Sequence, residues 1–222
     1  MKMNEDHSEE IKKILKTESN WNLTNKILYD LCSEYPLHNS AEEIIAKFLI
    51  IGRTYAAAIE RRKTNKSPKV SSDKFYEEQV VKLIININLD ERIKEIKQNT
   101  DIKINIEEIK KIFKLHKFLL NEIKKITRKQ NRSFISKYLH FHLKNSFYIY
   151  DTYARKGLSK LFPKECNVKY KNIKNKINYD DVDKDYADFF IKCTIFREYL
   201  VNDIIKEKIT IRELDRYFIS IW

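Results

Sequence analysis

The chain has 222 residues, 42% of them hydrophobic, with only 2 Gly and 3 Pro. That length and apolar content suit one ordinary domain with its own core, not two independent domains. Glycine is too scarce for a Rossmann fingerprint or a P-loop, and for the tight hairpins of a β-sandwich or barrel, so an all-α chain is expected.

Lys and Arg number 44 against 32 Asp and Glu, a net charge of +12. Residues 1–100 carry 17 basic and 16 acidic side chains, residues 101–178 carry 20 and 6, and residues 179–222 carry 7 and 10. A lysine-rich composition would spread its excess along the whole chain. A +14 block between two nearly neutral stretches fits a face that meets a polyanion, with double-stranded DNA the expected partner. Cys32, Cys166 and Cys193 have no CxxC spacing, which predicts reduced thiols, no structural zinc and a cytoplasmic location. The charged start MKMNEDHSEEIKK holds no apolar core of a signal peptide, and no apolar run is long enough for a membrane span.

In chain order, Ser40-Ala-Glu-Glu43 reads as a capping box, opening a helix expected from Ala41 to Arg62. Thr64 to Ser72, with Pro68, reads as a loop. Helices are expected from Asp73 to Asn88, from Asp90 to Gln98, and over a long amphipathic run from Asn105 to Lys129. Arg132–Leu143 and Asp151–Phe162 read as two more, the second stopped by Pro163. Lys164 to Asn178 reads as an irregular basic connection. Asp185–Lys206 is a predicted helix, and Thr210-Ile-Arg-Glu213 is a second capping box opening the last one.

The most informative stretch is Arg132-Ser-Phe-Ile-Ser-Lys-Tyr-Leu-His-Phe-His-Leu143, followed by Phe147-Tyr-Ile-Tyr-Asp151. On a helical wheel, Phe134, Ile135, Tyr138, Leu139 and Leu143 fill one apolar arc, with Phe141 at its edge and Lys137 just beyond. A rim lysine has two readings. Partial desolvation frees its amine to attack carbon, or its methylenes cover the rim while the ammonium stays in water. Asp151 stands where a helix begins, as an N-cap, as a fixed negative charge for a developing cation, or both. His140 and His142 point about 160° apart on a helix, too far to share a metal ion. His142 reads as a core residue, and His140, near Lys137, as a candidate for proton transfer.

The pattern Ser136-Lys137-x-Leu139-x-Phe141 with Ile149-Tyr150-Asp151 resembles the catalytic region of the helix-hairpin-helix DNA glycosylase superfamily, closest to its bacterial 8-oxoguanine-glycosylase-like branch. Gly52–Arg62 and Thr210–Tyr217 also look like elements of that branch. The resemblance implies a compact all-α fold of two helical lobes, about 1–100 and 179–222, around a basic DNA-facing part at 101–178. It implies Lys137 as nucleophile and Asp151 as the essential carboxylate, with no cofactor and no metal. The expected activity is excision of a damaged or phage-modified base, with Schiff-base cleavage of the abasic site. A non-catalytic DNA-binding module on the same fold is the alternative. Members of the family grip a phosphate with a Gly-rich hairpin. Arg128–Ser133 has no glycine, so Arg128, Lys129, Arg132 and Ser133, with Lys144 and Arg155, would bind DNA instead. Phe141, Tyr148, Tyr150 and His140 are the candidate base pocket.

Overall fold

The computed structural model describes residues 5–17, 19–61, 71–97 and 105–221, and among these every regular element is helical. None of the helices is long and apolar enough to cross a membrane. Two helices at the start precede the first expected one: α1 (Glu5–Lys16) and α2 (Asn22–Glu34). Then come α3 (Ala41–Thr54) and α4, a continuous run of Ser72–Lys74, a π-helical turn Phe75–Val80, and Val81–Asn86. Next are α5 (Leu89–Lys94), α6 (Ile106–Thr127), α7 (Arg132–His142), α8 (Thr152–Leu161) and α9 (Asn167–Lys174). The chain closes with α10 (Lys184–Tyr199), extended by a π-helical turn Leu200–Ile205, and α11 (Ile211–Ser220). The expected loop at 64–72 lies outside the described residues except for its last two positions.

The caps explain most boundaries. Ser40 accepts from the Glu43 amide, Asn105 from those of Glu107 and Glu108, Asp183 from that of Tyr186, and Thr210 with Glu213 closes a full capping box. Two expectations are corrected. The helix from Ala41 does not run to Arg62, because Ala56 turns into the left-handed region at φ 48° and the chain resumes only as a 3₁₀ turn, Ile59–Arg61. The stretch from Lys164 is not irregular: a 3₁₀ turn, Lys164–Cys166, leads into α9, which buries Ile173 while its lysines face outward.

One continuous apolar cluster runs through these helices, from Ile11 and Leu28 to Leu214 and Phe218. At its centre lies α7, whose residues from Phe134 to Phe141 are all buried. The helical wheel gives it one apolar arc, with Lys137 just beyond. Instead α2, α3 and α6 all pack against it, and only its ends, at Arg132, Ser133 and His142, stay partly exposed. That burial is what removes Lys137 from solvent.

Where α8 crosses α11, Gly157 allows the backbones to touch. A Cβ added there would lie 2.2 Å from the carbonyl oxygen of Phe218. Backbone cannot yield as a flexible side chain can. Gly157→Ala is expected to cost about 3 kcal/mol, read as a lower urea midpoint at unchanged m-value.

Candidate active site

The path from α7 to α8 is held by side chains. The His140 Nδ1 donates to the Phe147 carbonyl at 2.8 Å, the Tyr186 hydroxyl donates to the Tyr148 carbonyl at 3.2 Å, and the Tyr150 amide donates to Ser136 Oγ at 2.9 Å. These bonds replace the ladder that an extended buried segment would otherwise lack. They deliver Asp151 to the start of α8 in extended geometry, φ −141° and ψ −179°.

There the two oxygens of Asp151 divide the work. Oδ1 accepts from the Ala154 amide at 2.9 Å and caps the helix, while Oδ2 lies 3.6 Å from Lys137 Nζ. Lys137 is 4% exposed. Its ammonium also donates to Ser133 Oγ at 3.1 Å and to the Tyr55 carbonyl at 3.5 Å, and stands 5.4 Å from the centroid of the Tyr55 ring. Of the two readings of this lysine, the snorkelling one is corrected: the side chain is buried to its end, and the ammonium meets Asp151, Ser133 and the Tyr55 carbonyl. The site therefore joins a buried amine, a helix-capping carboxylate and the turn that ends α3.

A second charged pair lies beside the first. Arg212 Nη1 bonds Asp215 Oδ2 at 2.6 Å, and the Arg212 guanidinium stands 5.8 Å from the same Tyr55 ring. Asp215 is 4% exposed. Burial pushes its carboxyl up to about 6, with the charge of Asp151 adding to the rise and Arg212, Lys137 and Arg216 opposing it. The Tyr55 hydroxyl is tied to Asn25 of α2. Tyr55, Arg212 and Asp215 all fall in the two segments that resembled the glycosylase branch, but nothing in their local pattern marked them as partners of Lys137.

The other expected site residues are spread more widely. Arg128, Lys129, Lys144 and Arg155 are exposed, with no carboxylate within ion-pair distance among the described residues. Arg155 lies against the Tyr150 ring, 5.1 Å from its centroid. Arg128 occupies a left-handed position, φ 59°, in the turn between α6 and α7, and the Asn131 side chain bonds back to Thr127 instead of capping α7. Arg132 is held by Asp183 at 2.7 Å and by Asp185 at 3.1 Å, so its charge is already matched. Ser133 serves Lys137. Tyr150 is next to Asp151 in the chain. Phe141 and Tyr148 are core residues, 3% and 4% exposed.

His140 does not lie on a polar side: it is fully buried and both ring nitrogens are engaged. Since Nδ1 donates to a carbonyl, Nε2 must accept, here from Tyr29 at 2.6 Å. Burial lowers its pKa to about 3, which keeps it neutral and makes it a brace. His38 is similarly placed in a buried chain, 2.5 Å from Asp90 Oδ1 and 2.6 Å from the Tyr138 hydroxyl. Burial depresses His38 to about 4 and His116 and His142 to about 3. All four are neutral when folded and take up protons when unfolded, so their contribution is present above about pH 6.5 and lost as pH falls through the folded values. Asp215, raised in the fold, acts in the opposite sense, but alone. The melting temperature is expected to hold between pH 7 and 8 and to fall steeply from pH 6.5 to 4.5. A flat profile over that range would contradict the buried neutral imidazoles.

No family model, curated protein or solved structure matches this chain. Its chemistry has therefore to be read from the site itself.

Proposed function

We propose that this protein is a DNA N-glycosylase that excises a damaged or modified base, 8-oxoguanine-like or phage-modified, from duplex DNA and cleaves the resulting abasic site through a Schiff base. The observation that carries this reading is the buried Lys137 amine 3.6 Å from the carboxylate of Asp151. A lysine retained for a basic surface would be exposed, and a pair whose ammonium is buried is a poor source of stability because that ion loses its hydration. The pair instead suits a reaction that needs a nucleophilic amine beside a fixed negative charge.

In this reading the duplex is bent and one nucleotide leaves the stack, at a cost of a few kcal/mol. Asp151 stabilises the positive charge that develops on the sugar as the base departs. The Lys137 ammonium passes one proton to the departing base and its nitrogen forms a bond to C1′; a second proton moves from nitrogen to the ring oxygen as the C1′–O4′ bond breaks, and the product is an iminium ion. Loss of the C2′ proton then breaks the bond to the 3′ phosphate, and water later releases the lysine. The exposed Arg128, Lys129, Lys144 and Arg155 supply phosphate contacts, joined at the α6–α7 turn by the first amides of α7, which no side chain caps.

Borohydride trapping on duplexes containing 8-oxoguanine or an abasic site tests this. A covalent adduct that requires Lys137 is the expected result. Salt-sensitive duplex binding with no adduct on either DNA would favour the non-catalytic module.

A further inference from the structure

The Arg212–Asp215 pair has no part in the mechanism above, yet it shares the Tyr55 ring with Lys137. Asp215 Oδ1 and Arg212 Nε are both buried without a hydrogen-bond partner among the described residues. A pair kept only for stability would have these positions satisfied, since each orphaned group costs free energy. We propose that Asp215 is a positioning residue of the Lys137 site, whose buried negative charge, anchored by Arg212, governs how readily Lys137 gives up the proton it must lose to become a nucleophile. This rests on the Schiff-base reading and adds to it a regulator of the amine.

The surroundings of Asp215 support the assignment. On its own helix it faces Arg212 and Arg216; from α7 comes Lys137, from the start of α8 Asp151, from α10 Cys193, and from α2 and α3 the phenols of Tyr29 and Tyr55. Burial holds the thiol and both phenols neutral well above pH 7. Arg216 is turned toward the end of α1, donating to the carbonyls of Leu15 and Thr17. The charges that respond to Asp215 inside the site are therefore Lys137, Asp151 and Arg212. Because Lys137 favours the charged form of Asp215, Asp215 must equally favour the charged form of Lys137. Neutralising Asp215 removes one of two negative charges that favour the ammonium and leaves the permanent cation of Arg212 to oppose it.

The test is single-turnover borohydride trapping on saturating abasic duplex from pH 5 to pH 9, for the wild type, Asp215→Asn and Lys137→Gln. Asp215→Asn is expected to move the rising limb acidward and to trap about three- to tenfold faster than wild type at pH 7, with the two converging at pH 5, where residue 215 is neutral in both, and again at high pH. The wild type gives a second reading that needs no variant. Its carboxylate at residue 215 titrates in the same window, so the logarithm of its rate rises with a slope below one between pH 5 and 7. Superimposable profiles, or a wild-type slope of one throughout, overturn the role of Asp215 while leaving the Schiff base intact. No Lys137-dependent adduct at any pH overturns both.

Discussion

Lys137→Gln is expected to abolish the borohydride-trapped adduct and to slow base release by at least about a thousandfold, because glutamine has no amine to bond C1′. Duplex affinity should change little. Lys137 is 4% exposed and already faces Asp151, whereas the cations available to phosphates are the exposed ones at Arg128, Lys129, Lys144 and Arg155. The slope of log affinity against log salt, which counts neutralised phosphates, should therefore match the wild type. The substitution removes a buried charge and leaves the partly exposed Asp151 without its partner, two effects of opposite sign on stability. A melting curve beside each assay keeps unfolding from passing as lost chemistry. A variant that still forms the adduct would remove Lys137 from the reaction.

The second large effect separates the two tasks of Asp151. Asp151→Asn keeps an oxygen to accept from the Ala154 amide, so α8 remains capped, but the fixed charge is gone. Base release is expected to drop by about a hundred- to a thousandfold with little change in melting temperature. Trapping on a pre-formed abasic site, where no base has to leave, should lose far less. Asp151→Ala removes both oxygens and should add about 1 kcal/mol of destabilisation from the lost cap. Equal stability in the two variants would mean that the cap contributes little. Equal base release in Asp151→Asn and wild type would mean that the charge has no catalytic part.

Two substitutions one residue type apart can thus separate a structural from a chemical role, because the two carboxylate oxygens point at different partners. Lys137 has no such division: its nitrogen is both the buried cation and the proposed nucleophile. That is why its environment, including the Arg212–Asp215 pair, bears directly on its reactivity.

Much of this protein was legible in the sequence. Scarce glycine and helical spacing determined the all-α class, and the capping signals at Ser40 and Thr210 placed helix starts because a cap is a contact among near neighbours. The same locality made Asp151 readable as an N-cap. The uneven charge was also visible, since it is a property of composition. What the sequence could not supply was the environment of each side chain. Helical periodicity sees one face at a time, so it put Lys137 on a rim and His140 on a polar side. With α2, α3 and α6 packed around α7, both are buried. The irregular reading of Lys164–Asn178 failed for a related reason: α9 is held by packing Ile173 against the core rather than by strong helical patterning. Only the tertiary structure brought Tyr55, Arg212 and Asp215 to Lys137, across 82 residues on one side and more than 70 on the other. Such meetings depend on how helices dock. Docking is decided by the summed burial of many apolar side chains, not by any pattern local to the residues that meet.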